Sequence, residues 1–125
     1  MRYIGCHLSA SKGNLDMVRT AQSIGANTFA FFTRNPRGGK AKDLDFDDIN
    51  RLLAWMQEHE FGKIVAHAPY TMNLCAAKED IRAFSKNMFK DDLQRMEYLP
   101  ENFYNFHPGS HVGQGKDTGI AQIAD

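Results

Sequence analysis

Cysteine is scarce in this sequence, and the two cysteines that occur, Cys6 and Cys75, form no CxxC motif. A secreted domain of this size more often carries several disulfides, so the sparse cysteine favours a reduced, cytoplasmic protein in which both residues serve packing. The sequence also lacks an apolar run of membrane-spanning length, and its first residues lack the apolar core of a signal peptide. We therefore expect neither a disulfide-built scaffold nor a membrane protein.

Net charge is absent as well, because 15 Lys and Arg residues balance 15 Asp and Glu residues. No overall electrostatic field draws such a protein to nucleic acid or to a membrane surface, so any anion-binding surface must be a local patch. A chain of 125 residues with 42% hydrophobic content is long enough to bury roughly two thirds of its unfolded surface around one core. We expect a single domain over residues 1–125.

Strand-like and helix-like segments alternate four times along the chain. The predicted strands cover residues 3–8, 27–32, 63–67 and 103–107. Helical patterns begin near residues 15, 45, 78 and 118, and the third helix is expected to bury a face made of Ile81, Phe84, Met88 and Leu93. Such alternation predicts an α/β fold with parallel strands and right-handed crossovers.

Three histidines follow predicted strands. His7, His67 and His107 each come after an apolar stretch and before a polar or Pro/Gly-rich loop. Parallel strands gather their carboxyl ends at one rim of the sheet, where imidazoles from distant parts of the sequence can converge on a metal such as zinc. A histidine at a strand end is also commonly a hydrogen-bonded structural residue, so the pattern alone leaves both interpretations open.

The loop TRNPRGGKAK follows the second predicted strand and carries four basic residues without an acidic one: Arg34, Arg37, Lys40 and Lys42. It is either an ordinary solvated loop or a surface that contacts phosphate groups. Tyr70 follows Pro69 just after His67, where an aromatic ring either covers the core or stacks against a nucleobase. Together these residues favour phosphate-ester or nucleic-acid chemistry, but only weakly.

Four segments resemble the endonuclease IV family of abasic-site endonucleases, in the order IGCHLSASKG, ANTFAFFTRNPRG, HAPYTMNL and NFHPGSHVGQG. The similarity covers essentially the whole chain, and NFHPGSH is its most specific segment. The resemblance implies a TIM (β/α)8 barrel that holds three zinc ions and cleaves the DNA phosphodiester on the 5′ side of abasic sites in base excision repair. It also implies duplex DNA with abasic sites as the partner.

The resemblance assigns roles to individual residues. His67 and His107 match zinc ligands, and no catalytic residue beyond the metal ligands is implied in this chain. Arg37 and Tyr70 match residues that insert into DNA at the lesion. Thr71 is the third DNA-binding candidate, and it stands where the family often has a bulkier apolar residue. Three further positions are candidates to support the ligands or the substrate without binding metal directly: His7, Asn73 and His111.

The chain departs from the family pattern in its extent. It supplies about four β/α units, a half barrel, whereas a TIM barrel has eight, and the remaining metal ligands are expected beyond residue 125. Two histidines can form at most a partial zinc site. Two alternatives stay open: a metal-dependent sugar isomerase or epimerase on the related barrel, and a non-catalytic half barrel that binds metal or DNA. Open sheet edges also make a homodimer, closed into an eight-stranded barrel, a candidate assembly.

Overall fold

A computed structural model describes residues 1–125 and shows one sheet of four parallel strands in the order β1-β2-β3-β4. The strands are β1 Gly5–Leu8, β2 Thr28–Phe32, β3 Val65–His67 and β4 Phe103–Asn105. The helices are α1 Asn14–Ser23, α2 Phe46–Glu58, α3 Glu79–Met96 and α4 Lys116–Ala124, with a short 3-10 helix at Ala10–Lys12. The predicted alternation of strands and helices is confirmed.

Acidic side chains fix where two of the helices begin. Asp45 caps α2, since its carboxylate accepts a hydrogen bond from the Asp48 backbone N–H at 3.0 Å. The Asp48 carboxylate lies at the start of α1, where it accepts hydrogen bonds from the backbone N–H groups of Asn14 and, at 3.1 Å, of Leu15. The first turns of α1 and α2 are thereby tied together across 33 residues of sequence.

One face of the sheet is covered by helices. Phe29 and Phe31 of β2 point to this face and are buried, as are the neighbouring Ile64 and Ala66. They pack against apolar residues of α1 and α2, chiefly Val18, Ala21, Ile49 and Leu52. Burial of these side chains forms the main core, and each of the larger ones (Val, Ile, Leu and Phe) contributes about 1.5–3 kcal/mol.

The opposite face of the sheet is open. Along β2 and β3 its side chains alternate with buried ones. None of the side chains on the open face is buried: His7, Ala30, Phe32, Val65, His67, Phe103 and Asn105. Phe103 remains 55% exposed although it is a large apolar residue. The sheet thus presents its inner face, together with the free edges of β1 and β4, as a half barrel is expected to do.

The buried face of α3 differs from the prediction. Ile81, Phe84 and Leu93 are exposed, and only Met88 of the predicted set is buried. The helix instead buries Ser85, Met88 and Asp92, because Thr33, just after β2, and Tyr104 of β4 provide hydrogen-bond partners for Asp92. The packing role predicted for Cys6 is also wrong, since this cysteine is exposed, whereas Cys75 is buried. None of the helices has both the length and the hydropathy needed to cross a lipid bilayer.

Candidate functional site

Two imidazoles meet at the carboxyl ends of neighbouring strands. His67 is the last residue of β3, and His107 lies two residues beyond the end of β4, which stops at Asn105 rather than at His107 as predicted. Their ring centroids are 5.1 Å apart. We call His67 and His107 the histidine pair. The parallel pairing of β3 with β4 places the two rings together and leaves them at the rim of the open face.

A backbone hydrogen bond orients the first of these rings. The Nδ1 atom of His67 donates to the carbonyl oxygen of Ala68 at 2.6 Å. In the neutral imidazole this leaves Nε2 with a free lone pair, which is the arrangement that a metal-binding histidine requires. His107 is exposed, so a ligand can approach the pair from solvent.

The Pro-Gly sequence after His107 makes a turn that docks on Asn73. Gly109 has φ +102, and a Cβ there would lie 2.1 Å from the Asn73 side-chain oxygen, so only glycine fits. The Asn73 side chain accepts a hydrogen bond from the Ser110 backbone N–H at 3.1 Å and donates one to the Ser110 carbonyl at 3.0 Å. Asn73 therefore holds the loop that carries His107, and a further role beside the metal ligands stays a prediction.

The other two candidate histidines lie next to the pair or in the following loop. The ring centroid of His7 lies 4.5 Å from that of Phe32, and the Phe32 centroid lies 5.1 Å from that of His67. Burial, followed by the nearby charge of His67, lowers the pKa of His7 below its ordinary value, so the neutral form is favoured. His111 Nδ1 accepts a hydrogen bond from the Gly115 backbone N–H at 3.3 Å, which stabilises the turn before α4.

The histidine pair fits part of a zinc site. Imidazole nitrogens are common zinc ligands, and structural or catalytic zinc sites use three or four protein ligands. No group of three or more His, Cys, Asp or Glu residues in this chain is arranged to hold a metal ion. The pair can thus contribute two nitrogen ligands, but the chain does not complete the coordination by itself.

An exposed aromatic ring stands beside the pair. Tyr70 is 62% exposed, and its ring lies 6.0 Å from His67 and 6.3 Å from His107. The Tyr70 ring also packs edge-on against the ring of Phe32, with the ring centroids 5.1 Å apart. Thr71 follows it and is exposed as well. A large ring held at the rim with most of its surface in water is available to stack against a planar ligand.

The loop that carries Arg37 is folded back on itself and joined to the Tyr70 loop. The Asn35 side chain accepts a hydrogen bond from the Arg37 backbone N–H at 3.0 Å, and the Asn35 N–H donates to the Lys40 carbonyl at 3.0 Å. The Tyr70 N–H donates to the Pro36 carbonyl at 2.9 Å. Arg37 is exposed, so Arg37 and Tyr70, two of the three residues predicted to contact DNA, lie on adjoining loops, and the Tyr70 ring lies beside the histidine pair.

Arg34 does not belong to this exposed surface, so neither interpretation of the basic loop, as solvated or as contacting phosphate, applies to this residue. Its side chain is only 7% exposed and pairs with two consecutive carboxylates of α3, Asp91 and Asp92. The Asp92 carboxylate also accepts hydrogen bonds from the hydroxyls of Thr33, at 2.8 Å, and Tyr104, at 2.7 Å. We call these five residues the ion-pair cluster. All buried side-chain nitrogen and oxygen atoms of the chain have a hydrogen-bond partner.

The pKa values in the ion-pair cluster follow from these contacts. Burial opposes the charge of Arg34, but its hydrogen bonds to Asp92 and Asp91 outweigh that effect and hold its pKa above the ordinary value. The hydrogen bond from Arg95 is the largest influence on Asp91, whose pKa is lowered. Burial, together with the bond to Asp92, raises the pKa of Tyr104. These shifts favour the charged forms of Arg34 and Asp91 and the neutral form of Tyr104.

Sequence reasoning missed the acidic half of the ion-pair cluster. The available signal was the placement of Asp92 four residues after Met88, on the stripe of α3 that the helix buries. A charged residue at a buried helical position needs a partner of opposite charge. Arg34, directly after a predicted strand, is the candidate that this argument would have selected.

The family model described as a xylose isomerase-like TIM barrel matches residues 18–125. The chain belongs to this family. The predicted fold class, a half barrel of about four β/α units, is thereby confirmed, and the parallel four-stranded sheet agrees with it.

Relatives and a solved structure place the chain near endonuclease IV. It is 59% identical to a probable endonuclease 4 of Clostridium beijerinckii and 50% identical to one of Methanosphaera stadtmanae, over 100% and 98% of this chain but only 45% and 44% of those proteins. The crystal structure of endonuclease IV from Thermus thermophilus matches with a TM-score of 0.80 at 29% identity, over 99% of this chain and 45% of that one. The resemblance stated from the sequence is confirmed, and the chain spans a little under half the length of these relatives.

Proposed function

We propose that this chain is one half of a zinc-dependent endonuclease that cleaves the DNA phosphodiester 5′ to abasic sites in base excision repair, and that it contributes two metal ligands and contacts to DNA. The observation that carries the proposal is the convergence of the histidine pair with Tyr70 and the Arg37 loop at one rim of the sheet. The similarity to proteins named probable endonuclease 4 supports the same reaction class.

In this proposal the histidine pair contributes ligands to zinc. Zinc, when bound, supplies Lewis-acid stabilisation of the charge that develops on a phosphate under attack. His67 contributes Nε2, since its Nδ1 is engaged by the Ala68 carbonyl, and Asn73 keeps the loop of His107 in place. The other ligands come from outside this chain, which holds no further cluster suited to a metal.

Arg37 and Tyr70 recognise the lesion in this proposal. An abasic site leaves a gap in the base stack, and an exposed aromatic ring can fill it by stacking on the neighbouring bases. The Arg37 guanidinium can donate to phosphate oxygens or enter the groove beside the ring. Because the net charge of the chain is zero, we expect weak non-specific binding with a shallow dependence on salt.

The test is nicking of a duplex that contains a single synthetic abasic site. The complete enzyme, of which this chain is proposed to be one half, should with zinc cut the strand on the 5′ side of the site. His107→Ala should abolish the cutting. His59→Ala is the matched control, because His59 caps the end of α2 and contacts Gln22 and Trp55 instead of the rim. Cutting that survives in His107→Ala, or that is absent from the wild-type protein, would contradict the proposal.

The same experiment separates the other candidates. Zinc uptake and DNA binding without nicking would favour a non-catalytic metal- or DNA-binding half barrel. The matching family model is described as xylose isomerase-like, so a sugar isomerase is the alternative enzyme. Turnover of a free sugar without DNA binding would favour that activity. The exposed Tyr70 and Arg37 argue for DNA, since a small sugar needs neither. Sedimentation at micromolar concentration decides whether two copies pair through the open sheet edges.

A further inference from the structure

The ion-pair cluster is connected to the loop that carries Arg37. Arg34 directs its Nε and Nη2 atoms to Asp92 at 2.8 and 2.6 Å, while its Nη1 atom donates to the Gly39 carbonyl at 2.9 Å. One guanidinium therefore joins a fixed carboxylate of α3 to the far side of the loop. Since the guanidinium is planar and rigid, its three nitrogens hold these partners in one geometry.

A second arginine repeats the connection at the end of the loop. The Arg95 Nε atom donates to Asp91 at 2.8 Å, and its Nη1 atom donates to the Lys42 carbonyl at 2.8 Å. Gly39, with φ +71, packs against Met88 of α3, where a Cβ would lie 3.3 Å from the Met88 sulfur. The loop is thus attached to α3 through two carbonyls and one close packing contact.

We propose that Arg34 is a positioning residue for Arg37. It fixes the loop from Asn35 to Lys40 against Asp91 and Asp92, in the conformation that presents Arg37 beside Tyr70, and in this way sets the affinity for DNA with an abasic site. The role rests on the proposed function of the rim. Arg34 itself touches no ligand, because its side chain is nearly inaccessible.

The test compares Arg34→Lys with Tyr104→Phe. Lysine keeps the positive charge beside Asp91 and Asp92 but has one ammonium group, which cannot also hold the Gly39 carbonyl in the same geometry. Tyr104→Phe removes a hydrogen bond to the same Asp92 carboxylate and leaves both loop attachments in place. We expect Arg34→Lys to weaken binding to an abasic-site duplex on the order of tenfold, and Tyr104→Phe to leave it within about twofold.

A double-mutant cycle identifies the residue through which Arg34 acts. If Arg34 works by placing Arg37, then Arg34→Lys will cause no further loss of affinity in an Arg37→Ala background. Losses that multiply in the double mutant, or an equal loss in Tyr104→Phe, would overturn the proposal in favour of a general effect on folding. Zinc content should remain unchanged in all these variants.

A readout that does not involve DNA separates this proposal from the proposed function. The Asn35 and Gly39 amides donate hydrogen bonds within the loop, and their hydrogen exchange should accelerate in Arg34→Lys but not in Tyr104→Phe. Accelerated exchange, in a protein that does not discriminate abasic DNA, would mean that the loop is anchored as proposed but that the DNA function is wrong. Unchanged exchange would overturn the anchoring itself. If Arg34→Lys fails to fold, Arg95→Met is the second variant. Arg95 is partly exposed, and its replacement removes the hydrogen bond to the Lys42 carbonyl that attaches the end of the same loop to α3.

Discussion

The ion-pair cluster and the histidine pair both lie near the carboxyl end of the sheet, but their surroundings differ. Asp92 is fully buried and accepts hydrogen bonds from three side chains, those of Arg34, Thr33 and Tyr104. In the histidine pair, by contrast, His67 makes one hydrogen bond to the backbone and the His107 ring is exposed. One group has all its partners within the chain, whereas the other keeps nitrogen atoms available.

This difference separates structural from functional polar residues. A buried charge without partners is strongly unfavourable, so the ion-pair cluster persists only because every member is satisfied. An exposed imidazole such as that of His107, or a partly buried one such as that of His67, adds little to the stability of the folded state and costs it little. The convergence of the two rings at 5.1 Å adds little to stability, so under the proposed function substitutions in the two groups should give opposite patterns.

Asp92→Ala should cause the largest loss of stability. The substitution leaves the Arg34 charge without its main partner in a nearly inaccessible position, which typically costs about 3–5 kcal/mol. Urea unfolding monitored by circular dichroism measures this loss, with Asp92→Asn as the isosteric comparison that removes the charge and replaces one of the two acceptor oxygens with an NH2 donor. A loss below about 1 kcal/mol would mean that the cluster behaves like an exposed ion pair, and the contrast between the two groups would disappear.

His107→Ala should show the reverse pattern. Because His107 is exposed, the free energy of unfolding without metal should change by less than about 0.5 kcal/mol. Zinc affinity should fall by more than about a hundredfold, since loss of an outer partner of a ligand alone costs about 10- to 100-fold. Calorimetric zinc titration measures the affinity, with His59→Ala as the control histidine. Unchanged zinc affinity would remove His107 from the metal site.

The sequence predicts the outline of the molecule because local chemistry sets it. Asp45 caps its helix as an N-terminal acid does elsewhere, and His67 ends its strand where the HAPY segment begins. Parallel pairing of neighbouring strands then brings His67 and His107 to one rim. These features depend on short-range patterns and on one topological rule.

The parts that the sequence does not predict depend on contacts between distant residues. Arg34 is indistinguishable from Arg37 within a basic loop, and only the fold shows that Arg34 turns inward to Asp92, 58 residues away. The same contact explains why the predicted apolar face of α3 is wrong. An apolar stripe does not reveal that a helix will bury a carboxylate when the strand beside it supplies a cation.

Tyr104→Phe should have a smaller effect within the ion-pair cluster. It removes one hydrogen bond, of 2.7 Å, to Asp92, while Arg34 and Thr33 still satisfy the carboxylate. A hydrogen bond to a charged group contributes about 1.5–3 kcal/mol when it is lost from a site without other partners. Here the remaining donors should limit the loss to about 1 kcal/mol. Urea unfolding near neutral pH measures it, and a loss as large as that of Asp92→Ala would mean that the hydroxyl, and not the arginine, is the main partner.

The smallest expected effect is a change with pH in the stability difference between the wild-type protein and Tyr104→Phe. Burial and the bond to Asp92 raise the pKa of Tyr104 above its ordinary value of 10.0. The native state therefore keeps the hydroxyl protonated where the unfolded chain ionises it, so the contribution of Tyr104 to stability is fully present below about pH 10 and falls as the pH rises further. The phenylalanine of the variant cannot titrate, while the remaining tyrosines are common to both proteins and cancel. Urea unfolding from about pH 8 to about pH 10.5 should show the advantage of the wild-type protein over Tyr104→Phe narrowing only at the alkaline end. A constant advantage across this range would mean that the Tyr104 hydroxyl ionises as readily in the folded protein as in the unfolded chain. That result would contradict the hydrogen bond from Tyr104 to the buried Asp92 carboxylate.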